Sequence, residues 1–366
     1  MIPVTRPELP PLEEYVALLR DIWDSHMLSN FGPHAARFEA RAQACLGTPR
    51  VRCVASGDVG LVIALSALDL PEGGEAIVPS FTFNSTVNAV RWNRLVPVFA
   101  DIDPATLNVD PADVERLVGP RTAVIVATHV FGNPCDADEL RRIAAARGVP
   151  IVYDAAHAFG SRYRSRPVGT LGDLEVFSFS GTKLVTSAEG GLVAAATDEL
   201  VRRVEYGRAY GFQADYESHF PGLNGKLSEL NAALGVLTVR LVEPAATRRA
   251  AIARRYRDHL AGLPGVAFQQ VDPRDRSTYK DFAILCAAGR DALEARLAAE
   301  DIQTKRYFRP CHTMRAFRRW ATRPLPRTDE TYARILCLPI FNELPDEDVD
   351  RIAGIVRAHF TGSGSG

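Results

Sequence analysis

Short runs of β-forming residues alternate with helical patterns from residue 51 to about residue 180, and this alternation constrains the fold more than any other feature. The strand-like runs are VRCV (51–54), EAIVP (75–79), PVFADI (97–102), TAVIVATHV (122–130), PIVYD (150–154) and EVFSF (175–179). Helical patterns lie at 61–68, 87–91 and 136–147. This order predicts an α/β fold with right-handed crossovers and a mostly parallel central sheet covered by helices on both faces.

The remaining length requires a second, smaller unit. A long helical pattern at about 226–260, broken near Pro244, is typical of a bridge between domains. After it, strand patterns near 265–269 and 281–286 and helical patterns near 290–299 and 346–359 predict a small α+β domain. We therefore assign residues 1–245, with the N-terminal segment, to the large ligand-binding domain and 246–361 to the small C-terminal domain. The closing GSGSG (362–366) is expected to be a flexible tail.

Composition excludes several classes of function. The 43 basic and 44 acidic residues nearly cancel and form no block of like charge, so a nucleic-acid or membrane-surface binder is not expected. The six cysteines are scattered, without a C-x-x-C pair or a cluster with histidine, so we expect reduced thiols and no metal site. The N-terminus lacks the basic start and apolar run of a secretory signal. A cytoplasmic protein that binds small molecules or other protein chains is expected.

Ligands of parallel α/β sheets bind beyond the carboxyl ends of the strands. The predicted strands bring a defined set of side chains to that edge. They are Ser56, Gly57, Phe81, Phe83, His129, Asp154 and Ser178, and the stretch SFSGTKLVTSAEGG (178–191) starts there.

Lys183 is the centre of that stretch. The chain has only four lysines against 39 arginines, so a lysine placed between small residues just after a buried strand is unusual. An ordinary lysine is a solvated surface charge. A lysine held in apolar surroundings has a lowered pKa, however, and its free amine can form a Schiff base with a carbonyl.

Asp154 ends the apolar run PIVYD. Such an aspartate often caps the next helix. Beside a Schiff-base lysine, this carboxylate has a second possible role, because it can keep a pyridinium nitrogen protonated. Pyridoxal 5'-phosphate (PLP) depends on that protonated ring, so the pair Lys183 and Asp154 indicates PLP chemistry.

PLP also needs a phosphate site and a stacking partner. Ser56, Gly57 and Asp58 follow the first strand and open a helix, where backbone N–H groups bind anions. Ser178 can add a hydroxyl, whereas the Asp58 carboxylate must turn away from a phosphate. Either Phe81 or Phe83 of the SFTF turn can stack on the pyridine ring, although both can equally be core residues.

The order of these features resembles the DegT/StrS family of PLP-dependent sugar aminotransferases, which have the aspartate aminotransferase fold (fold type I). The resemblance covers nearly the whole chain. Its most specific segments are VPSFTFNSTVNAV, PVFADIDPATLNVDP, VYDAAHAFGS and SFSGTKLVTSAEGGL.

The resemblance implies a role for each matching residue. Lys183 would bind PLP covalently and move protons, Asp154 would pair with the pyridine nitrogen, and His157 would lie beside the ring hydroxyl. Phe83 falls at the stacking position. The positions that match phosphate-binding residues are Gly57, Asp58 and Ser178 and, from the neighbouring subunit of a homodimer, Asn224.

Substrate contacts are also implied by the resemblance. Lys226 stands where many members of the family have arginine, and Tyr307 and His312 lie in KRYFRPCH (305–312), a segment similar to one in dTDP-sugar 4-aminotransferases. Packing in the small domain is the alternative role for this segment. Asp58 departs from the threonine common in the family, so only its backbone contact carries over.

The implied reaction moves an amino group from an amino acid, L-glutamate, to a keto sugar through pyridoxamine phosphate. The expected substrate is dTDP-4-keto-6-deoxy-D-glucose, which would give a dTDP-4-amino-4,6-dideoxy sugar. A 3-keto sugar nucleotide or a cyclitol ketone is an alternative substrate, and a noncatalytic regulator or scaffold is the alternative outside enzymes. A nicotinamide dehydrogenase is disfavoured because no G-x-G-x-x-G follows the first strand.

Overall fold

The computed structural model describes residues 1–212 and 216–362. Its large domain has the predicted alternation of strands and helices. The strands are β1 (Val51–Val54), β2 (Glu75–Pro79), β3 (Val96–Ala100), β4 (Thr122–Thr128), β5 (Ile151–Asp154), β6 (Arg162–Tyr163), β7 (Arg166–Pro167), β8 (Leu174–Ser178) and β9 (Gly191–Ala195). The helices are α1 (Leu12–Ser25), α2 (Pro33–Leu46), α3 (Gly57–Ala67), α4 (Asn84–Trp92), α5 (Pro111–Leu117), α6 (Ala137–Arg147) and α7 (Asp198–Gly207).

Seven of these strands form the central sheet in the order β1-β9-β8-β5-β4-β2-β3. The pairs among β3, β2, β4, β5 and β8 are parallel, which confirms the predicted sheet type. Strand β9 is antiparallel to both of its neighbours, β8 and β1. Strand β1 therefore points the same way as β8, so its carboxyl end reaches the edge where the other parallel strands end.

Apolar side chains from both faces of the sheet pack against helices. One core lies around Phe38, Tyr153 and Phe177, and the other lies around Leu61, Val126 and Val176. Every residue of β4 is buried, as expected for a strand covered on both faces. Helix packing on both sides thus leaves the ends of the strands as the places where this sheet can meet a ligand.

Two consecutive helices, α8 (Glu229–Thr238) and α9 (Val242–Leu260), connect the large domain to the small one. The elements that follow them in the small domain are β10 (Val266–Phe268), β11 (Phe282–Cys286), α10 (Arg290–Ala299), α11 (Pro326–Arg334), β12 (Ile335–Leu338) and α12 (Asp346–Gly362). Strands β10, β11 and β12 form an antiparallel sheet in that order. The last four residues of the predicted tail, 363–366, lie outside the described residues, and Gly362 ends α12.

The predicted break near Pro244 lies a few residues earlier than expected. A short 3-10 turn, Val239–Leu241, separates α8 from α9, and Pro244 lies in the first turn of α9. Proline is tolerated there because the N–H groups of a first turn have no partner within the helix. The proposed domain boundary at residues 245 and 246 therefore falls within α9.

Two further findings concern the whole chain. All six cysteines have free thiols, and all but Cys45 are buried. Among the helices of the described residues, none has both the length and the apolar character that a bilayer crossing requires.

Candidate active site

A cavity of about 170 Å³ lies at the carboxyl ends of the strands. The segments that follow β1, β2, β5 and β8 line this cavity, together with Phe308 of the small domain. The lining residues include Ser56, Gly57, Asp58, Thr82, Phe83, Thr128, Asp154, His157, Ser178, Ser180, Lys183, Glu189 and Phe308. The structure thus brings seven of the predicted site residues into one cavity: Gly57, Asp58, Phe83, Asp154, His157, Ser178 and Lys183.

Lys183 lies in the turn that follows β8, where its N–H donates to the carbonyl of Ser180. Burial and, to a smaller extent, the positive charge of Lys280 lower the pKa of its amine to about 8, against the opposing effect of Asp154. Loss of hydration disfavours the charged form, and a like charge does the same. A substantial share of the amine is therefore neutral near physiological pH, as a nucleophile requires.

Asp154 is the last residue of β5 and pairs in register with Thr128 of β4. Its two carboxylate oxygens accept hydrogen bonds from Thr86 Oγ1 at 2.6 Å and from the N–H of Ala156 at 3.1 Å. Burial raises the pKa of the carboxyl group, whereas these two donors and Lys183 act in the opposite direction. The charge state of Asp154 is therefore set by a balance between dehydration and its donors.

His157 lies in an aromatic wall of the cavity. Its ring stacks on Phe308 and Phe131, with ring centroids 5.8 Å and 6.2 Å away. Burial holds its pKa well below the usual value, and Lys183 and Lys280 add to that effect, so the imidazole is neutral. Its Nδ1 is buried without a hydrogen-bond partner in the structure. A buried polar atom is costly when unpaired, so this nitrogen is suited to a bound ligand.

Two glycines bring the backbone close together at the start of α3. A Cβ at Gly57 would lie 2.9 Å from Ser178 Cβ, and one at Gly191 would lie 2.7 Å from the carbonyl carbon of Ser56. Ser56 caps α3, since its side chain accepts from the N–H of Val59. The N-terminus of α3 and the Ser178 side chain therefore form a compact cradle, which fits a phosphate group.

The two phenylalanines of the SFTF turn have different environments. Phe81 is fully buried and packs edge-on against Phe131 and Phe308, so it belongs to the core. Phe83 is 55% exposed and lines the cavity. Of the two rings, Phe83 is the one that can stack on a ligand.

The other predicted residues lie away from the cavity wall of this single chain. Asn224 is exposed and pairs with Ala209 through its backbone. Lys226 lies over the ring of Tyr210, with Nζ 4.1 Å from the ring centroid. Tyr307 accepts a hydrogen bond from Lys305 Nζ at 3.0 Å and packs beside Phe308.

His312 is held within the protein. Its Nδ1 is 2.7 Å from Ser80 Oγ, and its Nε2 is 3.3 Å from Asp329. These contacts use both ring nitrogens, as the packing alternative for KRYFRPCH expects. The role of His312 toward a substrate stays a prediction.

Sequence reasoning missed several residues that shape the site. They are Phe308, which stacks on His157, Lys280, which acts on Lys183, Glu189 on the cavity wall, and the hydroxyl group that Thr86 donates to Asp154. The scarcity of lysine was a usable signal for Lys280, as it was for Lys183. The threonine gave no such signal, because its contact depends on how α4 packs against β5.

Known proteins of one family are similar to this chain over nearly its whole length. The profile of the DegT/DnrJ/EryC1/StrS aminotransferase family matches residues 12–357. The dTDP-4-amino-4,6-dideoxy-D-glucose transaminase of Escherichia coli is 31% identical over 97% of this chain and 98% of its own length. The GDP-perosamine synthase of Vibrio cholerae is also 31% identical, over 98% of this chain and 99% of its own.

A solved structure of DesI with its TDP-sugar product superimposes with a TM-score of 0.93. It is 36% identical to this chain, and the match covers 99% of this chain and 93% of that one. The chain therefore belongs to the DegT/DnrJ/EryC1/StrS aminotransferase family. It is an aminotransferase with the predicted fold of type I, which confirms the expected enzyme and argues against the alternative of a noncatalytic regulator or scaffold.

Proposed function

We propose that this aminotransferase uses PLP to move an amino group from L-glutamate to a keto sugar linked to a nucleotide. The proposed acceptor is dTDP-4-keto-6-deoxy-D-glucose, and the products are 2-oxoglutarate and a dTDP-4-amino-4,6-dideoxy sugar. The observation that carries the proposal is the pairing, in one cavity, of Lys183, whose pKa is lowered to about 8, with the buried carboxyl group of Asp154.

The residues of the cavity fit PLP on several independent grounds. The cradle formed by Gly57, Asp58 and Ser178 suits the phosphate, and the unpartnered Nδ1 of His157 suits the ring hydroxyl. Phe83 offers an exposed ring face for stacking. The amine of Lys183 is positioned in the same cavity for covalent attachment.

Each of these side chains has a distinct task in the proposed reaction. PLP, when bound, supplies a protonated pyridine ring that takes up the electron pair released at the substrate carbon. Asp154 holds the proton on the ring nitrogen, and the neutral His157 donates or accepts at the ring hydroxyl. Lys183 would remove the proton from the carbon of the amino-acid donor and would later deliver a proton to the carbon of the keto-sugar acceptor. An amine with a pKa near 8 can work as both base and acid.

The choice of acceptor has support from the relatives. The transaminase of Escherichia coli and the DesI structure with a TDP-sugar both concern dTDP-type sugars, and the match extends over almost the whole chain. The name of the Vibrio cholerae relative refers to a GDP-linked sugar, so the nucleotide is the part of the proposal that most needs a direct test.

The test is a panel of acceptors offered to the PLP-loaded protein with glutamate. The panel contains dTDP-, UDP- and GDP-linked keto sugars and free cyclitol ketones, and mass spectrometry identifies the amino product. We expect dTDP-4-keto-6-deoxy-D-glucose to be aminated fastest, with one 2-oxoglutarate formed for each amino sugar. Amination of cyclitol ketones alone would contradict the proposal.

We further propose a homodimer in which Asn224 of one subunit completes the phosphate site of the other, with Lys226 beside it toward the substrate. Asn224 is exposed and does not line the cavity of its own chain, as this arrangement requires. Mixing Lys183→Ala and Asn224→Ala proteins tests the idea, because a mixed dimer would contain one site with both residues intact. Recovery of activity is expected after mixing, and no recovery in proven mixed dimers would contradict the shared site.

A further inference from the structure

Three threonine hydroxyl groups form a continuous buried chain that ends on Asp154. Thr128 Oγ1 lies 2.9 Å from Thr82 Oγ1, which lies 2.8 Å from Thr86 Oγ1, and Thr86 Oγ1 lies 2.6 Å from Asp154 Oδ2. Thr82 and Thr86 have no exposed surface, and Thr128 and Asp154 are buried as well. Thr86 and its bond to Asp154 are therefore shielded from bulk water, whereas Thr82 and Thr128 also lie on the wall of the cavity.

Different parts of the fold supply the members of this chain. Thr82 follows β2, Thr86 lies in the first turns of α4, and Thr128 ends β4 beside Asp154 in the register of the sheet. Threonine is stiff about its Cα–Cβ bond, so each hydroxyl is held by a side chain with few alternatives. The chain therefore spans three neighbouring segments at the edge where the cavity lies.

The direction of the hydrogen bonds follows from the count of protons. An ionised carboxylate can only accept, so Thr86 must donate its one proton to Asp154. Its oxygen then accepts from Thr82, which has no second proton and so accepts in turn from Thr128. An ionised Asp154 thus sets one direction for all three bonds, from Thr128 through Thr82 and Thr86.

We propose that Thr128, Thr82 and Thr86 act as a one-way chain of hydroxyl donors that keeps Asp154 an oriented carboxylate toward the pyridine nitrogen of PLP. This inference rests on the proposed function. The three threonines are positioning residues, because they act through Asp154. Donors aligned in sequence polarise one another, so the last bond is stronger than an isolated one.

The chain has a clear electrostatic task. Burial favours the neutral acid of Asp154, and a neutral acid would leave the pyridine nitrogen without a negative partner. Besides the threonine, the groups that act on this carboxyl group are the N–H of Ala156 and the charged side chains of Lys183 and Asp58. Lys183 favours the carboxylate and Asp58 disfavours it, and substitutions of the threonines leave both in place.

The test uses PLP labelled with ¹⁵N in its ring, bound to wild-type protein, Thr86→Val and Thr86→Ser. Valine keeps the shape and removes the donor, whereas serine keeps the donor. NMR spectra between about pH 6 and pH 9 report whether the proton resides on the ring nitrogen or on Asp154.

We expect the wild-type and Thr86→Ser proteins to share a protonated-ring signal. In Thr86→Val the signal should move toward that of neutral pyridine, and PLP should dissociate about tenfold more readily, the effect of one lost bond to a charged group. A wild-type signal in folded Thr86→Val would overturn the proposal. If Thr86→Ser lost the protonated-ring signal and PLP affinity as much as Thr86→Val did, the proposal would also be overturned, because altered packing would then be the cause.

Two further measurements keep the test decisive. If Thr86→Val does not fold, Thr128→Val replaces it, since that change leaves the bond between Thr86 and Asp154 intact. A smaller shift in the same direction is expected from it, and an unchanged signal would contradict a connected chain.

If the wild-type protein binds no PLP, the proposed function fails while the hydroxyl chain can still be measured. Infrared difference spectra against Asp154→Asn then follow protonation of Asp154 in the protein alone. Thr86→Val, or Thr128→Val in its place, should protonate at a higher pH than wild type. Equal midpoints would overturn the chain.

Discussion

The two edges of the central sheet each carry a cavity, and the larger of the two is not the candidate active site. The cleft at the amino ends of the parallel strands measures about 550 Å³, against about 170 Å³ at the carboxyl ends. In the larger cleft the charged side chains already have partners. Arg50 pairs with Asp198, Arg141 donates to the carbonyl of Leu171, and Asp173 accepts from the N–H of Ile151.

The smaller cavity is different in chemistry. Its lysine has a lowered pKa, its aspartate has a raised one, and the Nδ1 of its histidine is buried without a partner. Shifted ionisable groups and unpaired buried atoms cost stability, so a fold retains them where a ligand or a reaction uses them. Shifted pKa values and an unpaired buried nitrogen therefore distinguish this site better than the volume of its cavity does.

The change expected to have the largest effect is Lys183→Arg at the carboxyl edge. Arginine keeps the positive charge but is not an amine nucleophile, so amino transfer should fall by about 10³-fold or more. Product formation from glutamate and the keto sugar, followed by mass spectrometry, measures the loss. Activity within tenfold of wild type would mean that the chemistry belongs to another group.

Gly57→Ala tests the phosphate cradle and should have the next largest effect. The new Cβ would approach Ser178 Cβ to 2.9 Å, so the cradle must open and PLP should bind about tenfold more weakly. Titration of the PLP-free protein, followed by fluorescence, measures the affinity. Gly354→Ala in α12 is the matched control, since a Cβ there meets nothing within 4 Å and PLP affinity should be unchanged. Equal affinities in both variants would argue against the cradle.

Lys280→Met combined with Asp281→Asn tests the electrostatic setting of Lys183. The two side chains form a buried ion pair at 3.0 Å, so both are made neutral together. Lys280 lowers the pKa of Lys183 more than Asp281 raises it, so the double change should raise that pKa above about 8. The rate of PLP attachment against pH should shift to more alkaline values. A shift toward acid would show that Asp281 is the dominant partner.

Arg50→Ala probes the larger cleft and should have the smallest effect. Its ion pair with Asp198 lies at the surface, far from the carboxyl edge, so activity should stay within about twofold of wild type. The same product assay measures it. A loss comparable with that of Gly57→Ala would break the distinction between the two edges.

Much of this molecule could be predicted from its sequence because the signals were local. Buried strands appear in the sequence as apolar runs. The rule that ligands bind beyond the carboxyl ends of parallel strands then selected the ends of β1, β5 and β8. Reasoning from the residues selected Gly57, Asp58, Asp154, Ser178 and Lys183, and the resemblance to the family added His157 and chose Phe83 for stacking. These seven residues line one cavity. Strand β9 was missed, because GLVAA is short and its antiparallel pairing is decided by β1 and β8 on either side.

The parts that escaped prediction depend on contacts across the fold. Phe308 reaches the site from the small domain, and the threonine chain joins the segment of Thr82 and Thr86 to Thr128 and Asp154, which lie 46 and 68 residues from their partners in the sequence. Hydrophobic periodicity and composition contain no information about such contacts between distant residues. Lys280 was predictable in part. The scarcity of lysine is visible in the sequence, but the burial of Lys280 beside Asp281 is not.

The most direct test of the central claim uses the scarcity of lysine. PLP bound to the purified protein is fixed by borohydride reduction, the chain is digested, and mass spectrometry locates the modified lysine. The account predicts modification of Lys183 and not of Lys226, Lys280 or Lys305, because only Lys183 lines the cavity with Asp154 and the phosphate cradle. Modification of another lysine, or of none, would contradict it.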